Sequence, residues 1–266
     1  METRSTRTAL AVWAAAVVFF LWFPLVLICL YAFNSSNIQS WPIAGFTLHW
    51  FDVAWHDAEA RSALWLSLEA ALLATGVALV LGTMAAFAVS RFRFFGRDVV
   101  SFVVVLPIAL PGVITGIALA SFFSFNAITF SLWTIVVGHA TFCIVVVYNN
   151  VVARLRRTQT SLMEASMDLG ADGWQTFRYV TFPVVSTALI GGALLAFALS
   201  FDEVIVTTFT AGAQNTLPLW IFGNIRLGQQ LPEVNAVVFV IIAATVLPVT
   251  IAQRLTSDTG ILRRGT

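Results

Sequence analysis

Long uncharged stretches alternate with short polar ones along the whole chain. Residues 9–33 form a run of 25 without a charge. Residues 62–90 form a second, broken only by Glu69. Residues 99–153 contain no Asp, Glu or Arg; a helix crosses a bilayer in about 20 residues, so this stretch predicts two spans, 99–124 and 131–153, with a tight turn around Asn126. Residues 184–212 predict a fifth span, interrupted by Asp202 and Glu203, and residues 234–253 a sixth. The first run is longer than the roughly 7–15 residues of a signal-peptide core and reads as an uncleaved span. The pattern predicts an all-α integral membrane protein of six helices, one transmembrane domain over 1–266. Pro107 and Pro111 predict a kink in the third span. Gly191 and Gly192 predict close helix contact in the fifth.

Composition agrees: 59% of the 266 residues are hydrophobic and 10% charged. Soluble domains carry about 25% charge, and so little charge cannot cover a surface that faces water. An ordinary soluble enzyme, a disordered chain and a disulfide scaffold are excluded. Cys29 and Cys143 lie in separate apolar runs and predict small core residues, with no metal site.

Six spans put both termini on one side. All 14 basic residues are arginines, and only Arg61 and Arg226 fall on the opposite side. The positive-inside rule then places the termini in the cytoplasm. Asp52, Asp57, Glu59, Glu69, Asp202, Glu203 and Glu233 fall outside or in the outer half of the membrane, so the outer mouth is negative and would concentrate cations. Solvated loop faces would account equally for Asp52, Asp57 and Glu59.

The longest cytoplasmic loop, 154–183, reads as two short helices. Ser161 and Glu164 have capping-box spacing. Gly170 suits a left-handed helix end. Asp172 suits an N-cap with Gln175 three residues on. Trp174, Phe177 and Val180 form an apolar stripe. Periodicity alone leaves open whether this knob packs on its own bundle or meets a partner.

Here the chain resembles a family. Glu164-Ala165-Ser166, Gly170 six residues after the Glu, and Pro183 thirteen after the Gly are similar to the EAA loop of ABC importer permeases; Ser166, Val180 and Phe182 are mild departures. The segments 91–97, 106–112, 138–143, 199–204, 217–221 and 232–236 resemble the spermidine/putrescine (PotC-type) branch, in which many relatives carry an acid where Gly112 stands. The resemblance implies a type I ABC importer permease fold. It implies a bacterial cytoplasmic (inner) membrane location and coupling to an ATPase through Glu164, Ala165, Ser166, Asp168, Gly170 and Asp172. Two copies of a cytoplasmic ATPase subunit would bind ATP and Mg. A second homologous permease would complete a heterodimer, and an extracytoplasmic protein would deliver a polyamine. No nucleic acid is implied.

The acids of the fifth span stand out without the resemblance. Asp202 lies about 15 Å from the outer end if the helix is continuous, and a charge there must face water, protein or a countercharge. Asp202 and Glu203 therefore predict a wet path or a hydrogen-bonded structural pair, and the resemblance favours Asp202 on the path. Glu69 is a second path carboxylate or an interfacial one. Phe201, Trp65 and Trp220 are aromatic walls for an ammonium group, or packing and interface anchors. His139 is a core residue or a path contact. The chain lacks a GxxxxGK[ST] loop, so ATP hydrolysis falls to a partner and the chain is not itself an enzyme. A secondary transporter with Asp202 as proton carrier, or a permease for ferric iron, stays open.

Overall fold

A computed structural model describes residues 4–159, 161–228 and 230–261, without the side chains of Ser5 and 247–261. Arg263 and Arg264 of the charge argument, and the side chains of Arg254 and Asp258, lie outside the described residues. The elements are helices: α1 (Arg4–Tyr31), α2 (His49–His56), α3 (Ala58–Arg91), α4 (Arg97–Ala109), α5 (Gly112–Phe125), α6 (Leu132–Arg157), α7 (Ser161–Asp168), α8 (Gly173–Thr176), a π turn (Phe177–Thr181), α9 (Phe182–Phe201), α10 (Ile205–Thr210), α11 (Leu217–Leu227) and α12 (Leu231–Ile261). Among the described residues the only extended pairing is a bridge between Asn34 and Phe46.

Among the described residues four helices are long and apolar enough to cross a membrane, and α4 with α5 makes a fifth candidate, bent by 105°. The apolar part of α12, Leu231–Val246, is shorter. The third span bends at its prolines as expected, with the break at Pro111, whereas the fifth is parted where a continuous helix was assumed for the depth of Asp202. Leu110 is extended ahead of Pro111, as the residue before a proline is driven to be, and α5 starts afresh at Gly112. The fifth span stops at Phe201 and resumes at Ile205, with neither proline nor glycine between.

The chain forms two compact units, one holding residues to Ala58 and from Ile221, the other Glu59–Trp220. In the first, Trp50 Nε1 donates to the Asn34 carbonyl at 2.7 Å. The rings of Phe33, Phe51 and Phe239 meet at centroid distances of 5.0–5.6 Å.

In the second unit α6 is the central helix, buried on most of its faces from Thr134 to Leu155. Small residues let its neighbours approach. Small residues, mostly alanine, recur every three or four positions along the buried face of α3, with Ser67 and Gly82 in the series. A Cβ on Gly82 would stand 2.9 Å from the Ile144 carbonyl oxygen, and one on Gly192 of α9 3.4 Å from Val147 Cα; Gly191 faces open space. Such contacts are how helices associate where no water drives them together. Cys143 is fully buried, Cys29 half-buried, and both are free thiols. Tyr148 and Ser101 hydroxyls, 2.8 Å apart, tie α4 to α6.

Candidate functional site

One face of α3 and the loop after α10 enclose a pocket of about 500 Å³. Glu59, Ser62, Trp65, Leu66 and Glu69 line it from the helix; Ala213, Gln214, Asn215 and Trp220 line it from the loop and α11. Helical spacing puts the α3 residues on one side. The loop is held there by a buried hydrogen bond, in which Leu217 N–H donates to Ser67 Oγ at 2.8 Å. Gly212 turns the chain with φ +63, and a Cβ there would meet Phe130 at 2.7 Å. The structure thus brings together Glu69, Trp65 and Trp220. It adds Glu59, Gln214 and Asn215, which the sequence did not single out as site residues. Glu69 is half-buried, and Trp220 is buried beside an exposed Trp65. The ten residue steps from Glu59 to Glu69 rise about 15 Å along the helix. Along α3 a carboxylate thus stands near each end of this stretch with Trp65 between, while Trp220, Gln214 and Asn215 line the pocket from the loop and α11.

A second pocket, about 190 Å³, lies where the two broken spans meet. Pro107, Leu110 and Gly112 line it from the third span, Leu199, Glu203 and Val206 from the fifth. Close by, α10 packs tightly on α5: a Cβ on Gly116 would stand 2.5 Å from the Phe209 ring, so one of them would have to shift. Glu203 is half-buried, and its Oε1 accepts from Val206 N–H at 2.9 Å. Asp202 ends α9 and is exposed. The two acids sit on a helix break, not on adjacent positions of a continuous helix, and Glu203 faces this pocket. Phe201 is half-buried and stacks on Phe197 at 6.0 Å. His139 is buried, with ring nitrogens 2.7 Å from Ser200 Oγ and from Thr207 Oγ1.

The polar loop folds from local signals. α7 ends in a left-handed Gly170 (φ +89). Ala171 N–H donates to the Ser166 carbonyl at 3.1 Å and Gly170 N–H to that of Met167 at 2.9 Å, which together form a Schellman motif. Asp172 Oδ1 accepts from Gln175 N–H at 2.8 Å, and Asp172 N–H donates to Gln175 Oε1 at 2.9 Å. That is a complete capping box. Ser161 is the first helical residue of α7, so its hydroxyl does not hold the expected cap position; residue 160 lies outside the description. Ser166 and Thr176 hydroxyls, 3.2 Å apart, join the two short helices. Glu164, Ala165, Asp168 and Asp172 are exposed, together with Leu169 and Trp174. The knob presents acids and large apolar side chains side by side.

A family model described as "Binding-protein-dependent transport system inner membrane component" matches residues 78–257. The chain is 37% identical over 234 residues to the putrescine transport system permease protein PotI of Escherichia coli (strain K12), covering 85% of this chain and 82% of that protein. It is 29% identical over 245 residues to the spermidine/putrescine transport system permease protein PotC of the same organism, covering 91% and 92%. Its fold matches a chain from the crystal structure of a bacterial ABC transporter involved in the import of the acidic polysaccharide alginate. There the TM-score is 0.74 at 16% identity, over 96% of this chain and 98% of that one. The several apolar helices are those of a multi-pass inner membrane protein, and the exposed α7–α8 knob is the EAA loop of a transport subunit, not part of an enzyme. The chain belongs to the binding-protein-dependent transport system inner membrane components, the permeases of ABC importers.

Proposed function

We propose that this permease subunit moves polyamines of the spermidine/putrescine class into the cell by alternating access. The observation that carries the reading is the pocket between α3 and the loop after α10. Polyamines carry ammonium groups separated by methylenes. Glu59 and Glu69 supply separated anionic ends, and the faces of Trp65 and Trp220 attract cations between them. A negative mouth also concentrates a cationic solute and repels anions. From there the path runs past Asp202, Phe201 and Glu203 at the broken fifth span. The chain crosses the membrane six times with both termini in the cytoplasm. The 154–183 loop docks Glu164, Ala165, Ser166, Asp168, Gly170 and Asp172 on one of two ATPase subunits, which bind ATP and Mg. A second, homologous permease pairs with this one, and an extracytoplasmic binding protein delivers the solute. ATP binding favours one conformation of the pair through differential contacts at the two coupling loops.

The test is uptake of labelled spermidine into proteoliposomes holding the co-purified complex, with binding protein outside and ATP inside. Loss of a charged partner costs about 1.5–3 kcal/mol. Glu69→Gln therefore raises the half-saturating concentration at least about tenfold, and Asp202→Asn slows uptake while the complex still assembles. Unchanged uptake in both variants removes these carboxylates from the path. ATPase activity without import of any polyamine by the wild type points instead to ferric iron, and then to other solutes.

A further inference from the structure

Two hydroxyls from opposite sides of the break in the fifth span converge on one imidazole. His139 of α6 is 1% exposed. Its Nδ1 lies 2.7 Å from Ser200 Oγ, in the last turn of α9, and its Nε2 lies 2.7 Å from Thr207 Oγ1, in the first turn of α10. The Thr207 hydroxyl also donates to the Glu203 carbonyl at 2.7 Å. A hydroxyl has one proton to give. With that proton on the Glu203 carbonyl, Nε2 must carry the N–H and donate to Thr207 Oγ1. The neutral ring then has a bare Nδ1, which the Ser200 O–H fills. Every group in the series Ser200, His139, Thr207, Glu203 carbonyl is satisfied with the protons running one way.

The series ends on the backbone of the residue whose carboxylate lines the pocket between the two breaks. That carboxylate is itself tied to the same turn through Val206 N–H. α6 grips this turn at two further points. A Cβ on Gly138 would press within 3.1 Å of Val206 Cγ1, and Thr134 Oγ1 lies 2.8 Å from the Thr210 carbonyl oxygen, sharing its one proton between that carbonyl and the Ser131 carbonyl at 2.7 Å. A helix as short as α10 does not hold its place alone; α6 holds it.

We infer that His139 is a positioning residue: as the Nε2–H tautomer it sets, through Thr207, where the Glu203 carboxylate stands, without touching the solute itself. Glu203's place on the path rests on the function proposed above. Two measurements on the assembled importer separate the parts. The first is the half-saturating solute concentration against the maximal rate of uptake. Thr207→Val keeps the volume and removes both hydrogen bonds, so it raises the half-saturating concentration about fivefold to tenfold with the maximal rate held within about twofold. Thr207→Ser restores the wild-type value. His139→Gln, whose amide reaches the Nε2 position, retains more affinity than His139→Asn, which reaches only Nδ1. Equal half-saturation in Thr207→Val and wild type, or a fall in maximal rate alone, overturns the positioning role. The second is the ¹⁵N spectrum of histidine-labelled complex in a His49→Gln, His56→Gln background, where His139 is the one ring left in this chain. If the partner subunits contain histidines, only this chain is labelled before reconstitution. A bare Nδ1 and a protonated Nε2 are expected. The reverse tautomer, or two protonated nitrogens, overturns the proton order. A wild type that imports no polyamine removes the role assigned to Glu203, while the spectrum still decides the hydrogen-bond series.

Discussion

The third and fifth spans are both broken, and for different reasons. In the third, the cause is in the chain itself. Pro111 lacks an N–H, and its ring pushes Leu110 to an extended backbone (φ −86, ψ 141); no neighbour is needed to stop α4. In the fifth, the residues from Phe201 to Ile205 contain nothing that forbids a helix. Its break is held from outside, by His139 on both of its sides, and capped from within by Glu203. A locally written break persists in whatever surroundings the chain meets. One held by tertiary contacts lasts as long as its partner helix stays, which suits a segment proposed to carry path residues.

Three substitutions probe this contrast. The largest effect is expected from Gly116→Val. Its side chain would collide with Phe209, whose Cβ as well as ring lies within 3.2 Å of the new Cβ, so ring rotation alone gives no relief. Overpacking of this kind costs about 1–3 kcal/mol. It should appear as a lower melting temperature of the detergent-solubilised complex and as loss of the α5–α10 contact in cysteine crosslinking.

Pro111→Ala is the local test. With a residue that frees the backbone of the unfolded chain, stability falls by about 0.4–1 kcal/mol. The distance between spin labels at Val103 and Phe122 should broaden toward longer values as the 105° bend relaxes. A sharp, unchanged distance would mean that packing holds this break too.

The smallest effect is expected from Asp202→Ala. Asp202 is exposed and only ends α9, and surface changes of this kind stay within about 0.5 kcal/mol. The melting temperature should hold and the break remain, even where uptake falls. A large loss of stability would make Asp202 the structural member of the acid pair.

The elements that were legible in the sequence share one property: their determinants lie within a few residues of each other. The turn at Asn126 is bounded by α5 and α6 as expected. Gly170 takes the left-handed end of α7, and the Asp172–Gln175 box closes across three positions. Helix existence follows the same logic, since uncharged runs of bilayer length have one way to satisfy their backbone in lipid. The candidate site obeyed it only in part. Glu69 and Trp65 share a helix face and could be paired from spacing.

Their meeting with Trp220, Gln214 and Asn215 could not, because it depends on Leu217 bonding to Ser67, 150 residues earlier. Nor could the break at Asp202–Val204, because His139 reaches its partners over separations of 61 and 68 residues. Hydropathy and turn chemistry, which act between near neighbours, determined the helices and the turns of the 154–183 loop, while the family was carried by the resemblance of its motifs. Which carboxylate faces a pocket, and where the fifth span parts, were decided only when distant hydroxyls and ring nitrogens had to find one another in an interior without water to satisfy them.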